Sequence, residues 1–355
     1  MHLVNHTKLL AGYTMAVDRT GRESLVVVAK GTFTIPDRSE QSPALVAEQM
    51  PLVMCDEFTG EPGFSSTRYE VDFAPHKPRC DVLLNGSAYA AQGRPTDRVT
   101  VTLRVGPMTK SFNVVGNRKY QAGIVRITGG SIEPFLVMPI SYDNAYGGIE
   151  RSHDDPAKHR WFRANPAGRG YHAGATVKAI EGKPLPNTEE TSAPITSANG
   201  SYRPMALGAV GRSWQGRIEH AGTYDKRWLD EKLPFLPDDF SDRYFQAAPD
   251  DQQIDYLAGG EEVTLTNLTP QGQTAFRLPK RLGMPATFYL RTGEIKEQPM
   301  VADTLLIEPD KQRFMITWRT SLALRRGVAE VVQMDVGRAV AASASATPQA
   351  QVAGS

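Results

Sequence analysis

The stretch "DRVTVTLRVGPMTKSFNVVG", Asp97 to Gly116, decides the fold class. Apolar residues recur at every second position, which puts Val101, Leu103 and Val105 on one face, and the alternation breaks at "GPMTK" before it resumes. Period-two alternation on both sides of a turn signal is the pattern of an antiparallel hairpin with one buried face. Working outward, "CDVLLNGSAYA" (80–90) alternates in the same way, and "SLVVVAKGTFTIP" (24–36) is a β-branched run closed by Pro36, which has no N–H to give to a ladder. "FLVMPISYDNAYGG" (135–148) ends this half in a turn-rich aromatic corner.

The second half repeats the device. "EEVTLTNLTPQGQTAFRLP" (261–279) sets Val263 and Leu265 on one face, turns at "TPQG", and returns through Thr274, Phe276 and Leu278. "ADTLLIEPDKQRFMITWRTSLAL" (302–324) has "EPDKQ" as its turn, and "GVAEVVQMDVG" (327–337) reads as a last strand. In "TYDKRWLDEKLP" (223–234), Tyr224 and Trp228 at i, i+4 with a stop at Pro234 predict one short helix. With 31 glycines and 25 prolines, long helices are nearly excluded. The expected fold is mainly β with a few short helices, a β-rich α+β protein with antiparallel sheets in two packed lobes. The expected division is an N-terminal antiparallel lobe at 1–149, an irregular Pro/Gly/Asn-rich connection at 150–210, a C-terminal β-rich lobe with short helices at 211–338, and a flexible tail at 339–355.

Composition narrows the function classes. The 355 residues are 40% hydrophobic, enough for a real core, and 40 basic against 39 acidic residues leave a formal charge of +1. Such a chain has no long-range field to attract nucleic acid or anionic lipid. The opening, "MHLVNHTKLLAGYTMAVDRTGRES", lacks a basic segment before its short apolar run, so no secretory signal is expected. No uncharged apolar run approaches the roughly 20 residues of a membrane helix, and a cytoplasmic location is expected. Cys55 and Cys80, too far apart for a CxxC motif, read as two buried reduced thiols.

Six aspartates crowd "LPDDFSDRYFQAAPDDQQIDYLAGGEEVTLTNL" (236–268): Asp238, Asp239, Asp242, Asp250, Asp251 and Asp255. Paired carboxylates are tools of acid–base chemistry, but most of these read as structural. Phe240, Ser241 and Phe245 form a hydrophobic staple around an N-cap, with Asp242 in the first turn. Asp250 reads as an N-cap with Gln253 three residues on, and Gly259 or Gly260 as the stop. Asp238 and Asp239 follow Pro237 in a turn. "HDDPAKH" offers His153, Asp154, Asp155 and His159 as metal-ligand types, yet Pro156 and the i, i+6 spacing favour a solvated loop. "GRGYHAG" (168–174) follows no strand, and "GRSWQG" around Ser213 is no nucleophile elbow. Asp72, Lys77 and Asp81 suggest a partly buried ion pair. Trp228 and Trp318 read as core, whereas Trp161 and Trp214 stand in loop-like context, open to an interface role.

Several longer segments occur in one order: "VAKGTFTI", "DEFTGEPGFSSTRYEVDFAPHKPRCDVLLNGSAYA", "MPISYDNAYGG", "NPAGRGY", "GTYDKRWLDEKLPFLPDDFSDRYFQAAPDDQQIDYLAGGEEVTLTNLTPQG" and "FRLP". Together, over roughly residues 1 to 335, they resemble a bacterial family, long labelled a domain of unknown function, whose members are effector-loading adaptors or chaperones of the type VI secretion system. The resemblance implies a non-enzymatic cytoplasmic protein without cofactor or metal. Its implied partners are a cognate secreted effector, the VgrG spike and a PAAR or PAAR-like tip protein. The family supplies no catalytic residues to carry over. "CDEF" and "FSSTRYEVDF" depart from the forms expected there, which leaves effector specificity open. Tryptophan, tyrosine and arginine concentrate in the connection, and these types are enriched at interface hot spots. The expected partner-binding residues are therefore Trp161, Phe162, Tyr171 and Trp214 as anchors, with Arg160 and Arg163 at the rim. The competing reading is a carbohydrate-binding or glycan-cleaving β protein that uses the same tryptophans as platforms and the Asp238 to Asp255 cluster as its acids. A structural spike component is a third.

Overall fold

The structure, a computed structural model, describes residues 1–37, 41–123, 127–198 and 200–339. All but the first residue of the expected tail lies outside the described residues. Arg98–Val105 and Met108–Val115 pair antiparallel across a two-residue connection, with Val105 opposite Met108. Gly106 takes a φ of 52° there, as the first central position of a primed hairpin turn requires. Val101, Leu103 and Val105 are fully buried, and on the opposite face the Thr102 and Ser111 hydroxyls meet at 2.9 Å.

This hairpin is the centre of a five-stranded antiparallel sheet, in the order Thr188–Glu189, Met108–Val115, Arg98–Val105, Glu262–Thr266, Gln273–Arg277. The second, nine-stranded sheet runs His2–Asn5, Val331–Val336, Met284–Leu290, Ile295–Glu308, Arg313–Ala323, Glu23–Thr34, Leu10–Val17, and Cys80–Leu84 and Gln253–Ile254 branch from its middle. Its two end strands approach each other, so the sheet curls nearly into a closed barrel. Pairing is antiparallel except where His2–Asn5 meets Val331–Val336 and where Cys80–Leu84 meets Ile295–Glu308. The two sheets share one core. Phe33 and Phe314 of the larger sheet stack at 5.3 Å, and Phe314 meets Phe276 of the smaller sheet at the same distance.

Two sequential lobes at 1–149 and 211–338 do not describe this arrangement. Glu23–Thr34 lies against Arg313–Ala323, and Arg98–Val105 lies against Glu262–Thr266, so each sheet takes strands from both halves of the chain. Single-strand periodicity fixes which face is buried but not which distant strand completes the ladder. The 150–210 connection is not a loose loop either. It adds Thr188–Glu189 to the edge of the smaller sheet and builds a satellite core from Tyr120, Tyr146, Ile180, Leu185 and Ile195.

Leu25 through Ala29 are buried on both faces because the segment before Cys80 lies over the outside of the larger sheet. A Cβ added at Gly12 would meet Leu52 at 2.9 Å and Phe73 at 3.0 Å. Buried charges tie this layer down. Lys30 reaches Asp72 at 2.9 Å, Arg319 reaches Asp303 at 2.6 Å and also donates to the Ala74 carbonyl, and Lys77 reaches Asp81 at 2.7 Å. The expected Lys77–Asp81 pair is therefore present but fully buried, while Asp72 belongs to Lys30 instead. Cys80 is buried and its thiol pushed well up by desolvation, whereas Cys55 is exposed, against expectation. Among the described residues no helix is long and apolar enough to cross a membrane.

Candidate functional site

The aromatic corner and the connection interlock through glycine. Tyr146–Gly147 pairs parallel with Arg169–Gly170, and the Asn165 amide donates to the carbonyls of Tyr142 and Tyr146 at 2.8 and 3.1 Å. A Cβ on Gly147 would stand 2.1 Å from the Asn165 carbonyl oxygen, so only glycine lets "NAYGG" and "NPAGRGY" approach this closely. From that crossing Ile149–Glu150 runs out and Arg160–Trp161 returns, with Ile149 opposite Trp161 and Glu150 opposite Arg160. "HDDPAKH" is the tip of this ribbon. Asp155 caps the Ala157 N–H at 3.0 Å and the His159 ring meets the His153 carbonyl at 3.0 Å. Among the described residues no group of three or more His, Cys, Asp or Glu is placed to hold a metal ion.

A short helix, Gln215–Ile218, faces the ribbon, anchored by the Gln215 N–H on the Arg163 carbonyl at 2.9 Å. Helical spacing sorts its side chains. Trp214 and Arg217 point inward: Trp214 packs edge-on against Tyr142 at 5.2 Å, and Arg217 donates to Glu70 at 2.6 Å and to the carbonyls of Tyr244 and Val210. Burial would raise the Glu70 carboxyl, but Arg217, Lys77 and Arg212 outweigh it and hold the carboxyl below its usual range. Gln215, Ile218 and Glu219 are left facing outward.

Between ribbon and helix lies an open groove of about 890 Å³. Four expected residues line it, Arg160, Trp161, Arg163 and Tyr171, together with Pro166, Gln215 and Ile218. Trp161 and Ile218 are each 49% exposed, large apolar side chains left to water. The other two expected anchors are placed differently. Trp214 is only 4% exposed and belongs to the main core, so it presents no surface to a partner. Phe162 turns into the satellite core, 5.0 Å from the Tyr146 ring and 5.4 Å from Tyr171. Local sequence gave both a loop setting, but each is covered by residues distant in the chain. Ile218 is not among the expected residues; its outward direction follows from the inward Trp214 and Arg217 at i, i+3. Trp228, expected in the core, is half-buried, with its indole N–H on the Phe235 carbonyl at 2.8 Å, whereas Trp318 is in the core as expected.

Beneath the ribbon, the His172 ring meets Glu150 at 3.0 Å, and its other nitrogen is buried with no hydrogen-bond partner among the described residues. Burial lowers the His172 pKa below its ordinary value of 6.5, with Glu150 opposing only part of the effect. Burial would raise Glu150, but its bonds from Ser152 and His172 prevail and lower it.

The six aspartates disperse. Asp238 pairs with Lys232 at 2.7 Å, Asp239 accepts from the Thr223 N–H and hydroxyl, and Asp242 meets His76 at 3.0 Å. Asp250 pairs with Arg243 at 2.9 Å, Asp251 with Lys110 and Arg203 at 3.1 and 2.7 Å, and Asp255 reaches Arg79 at 3.5 Å. The Ser241 cap and the Phe240–Phe245 contact, 5.5 Å between rings, form as expected. The helix expected from Asp250 does not. Pro249 takes the cap position, and the single turn Asp250–Gln252 gives way to Gln253–Ile254, which adds to Cys80–Leu84 as a strand. Backbone pairing there competes successfully with the local capping signal.

No curated protein and no solved structure matches the chain. Residues 20–319 match the family described as "Uncharacterized protein conserved in bacteria (DUF2169)". That span takes in most of both sheets, the buried charges and the whole groove, and the chain belongs to this bacterial family.

Proposed function

We propose that the protein is a non-enzymatic adaptor that binds a cognate type VI secretion effector, or its PAAR-like tip region, in the cytoplasm and helps load it onto the VgrG spike. The resemblance carried by the ordered segments between residues 28 and 279 supplies the class. The observation that carries the reading to a place on the molecule is the groove beside Trp161. A rigid aromatic on a ribbon, an exposed isoleucine opposite and arginines at the edge make up the composition of a protein-binding hot spot with a polar rim. The scatter of the six aspartates, each on its own partner, favours this reading over a glycosidase, which needs two carboxyls facing one bond.

The test is co-expression with the product of the neighbouring effector gene, followed by size-exclusion chromatography with light scattering. A stable stoichiometric complex is expected, weakened in Trp161→Ala. Absence of any complex with the effector or with the tip protein would overturn the adaptor. Glycan binding or hydrolysis abolished by Asp239→Asn would establish the carbohydrate alternative, and recovery of the chain with the secreted spike would make it a spike component.

A further inference from the structure

The groove departs from the chain's near neutrality. The whole sequence carries a formal +1, and interior guanidiniums are matched to carboxylates: Arg118 to Glu189, Arg217 to Glu70, Arg319 to Asp303. Arg160 and Arg163 are not. Among the described residues neither meets a carboxylate, and Arg160 reaches only the Ala173 carbonyl at 3.4 Å. Arg151, at the base of the same ribbon's loop, lies over the exposed Phe64 ring at 5.5 Å, beside the Gly63 edge of the groove, and among the described residues it too makes no ion pair. The carboxylate in the groove wall is Glu219, which has His220 at 3.9 Å; Glu150, opposite Arg160 in the ribbon, turns to His172 at 3.0 Å, and Asp154 and Asp155 sit on the ribbon's tip outside the walls. Positive charge in excess therefore flanks the two exposed apolar side chains, Trp161 and Ile218.

We propose that this groove takes an extended acidic segment of a protein partner, seating an apolar side chain between Trp161 and Ile218 and carboxylates on Arg160 and Arg163. The inference rests on the adaptor reading for the identity of the partner, and adds the chemistry by which that partner is chosen. Planar guanidiniums suit carboxylates because they offer two parallel N–H donors, and they stack on aromatic faces such as Phe64. Exposed charges of this kind set partner choice and association rate, and their effect is screened by salt.

The probe is a fluorescein-labelled dodecapeptide of Glu, Asp and Leu, read by anisotropy, with the same peptide carrying Gln and Asn for Glu and Asp, and oligothymidylate, as controls. The acidic peptide should bind about tenfold or more tighter than the neutral one, with affinity falling as salt is raised. Arg160→Glu/Arg163→Glu should abolish the preference, Arg160→Lys/Arg163→Lys should keep part of it, and Trp161→Ala should weaken both peptides. These side chains are exposed, so unchanged thermal unfolding of each variant confirms that the fold is intact. Equal binding of acidic and neutral peptides, no binding, equally tight oligothymidylate, or indifference to charge reversal would each overturn the inference. Carried through the effector co-purification, the charge-reversed protein separates the two claims. Effector held by wild type and variant alike sinks the acidic-segment inference and leaves the adaptor standing. Effector held by neither, with the acidic peptide still bound by wild type, does the reverse.

Discussion

Asp81→Asn is the sharpest perturbation of the claim that the acidic side chains of this protein hold backbone in place. Asp81 is fully buried in Cys80–Leu84, and its two oxygens satisfy four donors. Oδ2 accepts from Lys77 Nζ at 2.7 Å and the Ala247 N–H at 2.8 Å, and Oδ1 accepts from Gln246 Nε2 at 2.6 Å and the Ala248 N–H at 3.1 Å. Asparagine has the same shape, but whichever way its amide turns, two of those donors face an NH₂. Each buried donor left without an acceptor costs about 1–3 kcal/mol. Lys77 also loses its nearest counter-charge, the closest one left being Glu70 at 3.7 Å, and breaking a buried pair costs about 3–5 kcal/mol. These costs overlap, so the expected loss is about 4 kcal/mol, a large part of the ~5–15 kcal/mol of a typical domain. Urea unfolding followed by tryptophan fluorescence should show a lower midpoint at unchanged slope. Lys77→Met combined with Asp81→Asn should cost less than the sum of the two single changes, because the second change removes the stranded partner. An Asn variant within about 1 kcal/mol of wild type would refute the reasoning, since that is little more than the scatter of surface substitutions.

Three further outcomes follow from the same contacts. Trp214→Ala should destabilise the fold by about 3–5 kcal/mol, as removal of a core tryptophan does, while Trp161→Ala should leave the urea midpoint unchanged and reduce only partner binding. Stability should decline as pH falls below 6.5, because the unfolded chain takes up a proton on His172 that the folded chain, with its lowered pKa, resists. It should decline again below about 4.5, where unfolded carboxylates protonate and the depressed Glu150 does not; scanning calorimetry should show the first decline reduced in His172→Gln. A thiol reagent should titrate one fast group, Cys55, in the native protein and a second, Cys80, only on unfolding; two fast groups would contradict the burial of Cys80.

Local rules were legible in this sequence and distant pairing was not. The Gly106 hairpin, the "TPQG" and "EPDKQ" returns, the Lys226–Glu231 helix and the Ser241 cap all depend on residues a few positions apart, and all are where the sequence puts them. The main core shared by both sheets in place of sequential lobes, the Lys30–Asp72 pair and the strand at Gln253–Ile254 depend on partners that periodicity does not name. The groove divides along the same line. Trp161 and the two arginines were readable as a concentration of hot-spot residue types. The inward turn of Trp214 and Phe162, however, is decided by Tyr142 and Tyr146, whose approach the glycine crossing at Gly147 permits.

The central claim is that the molecule works by presenting the Trp161 groove to another polypeptide, and hydrogen exchange of the effector complex against the free protein tests it most directly. The account predicts new protection concentrated in residues 159–171 and 213–219, with the exposed edge strand Leu10–Val17 unchanged. Protection confined to that edge strand or to the Asp238–Asp255 segment, with the groove exchanging as it does in the free protein, would contradict it.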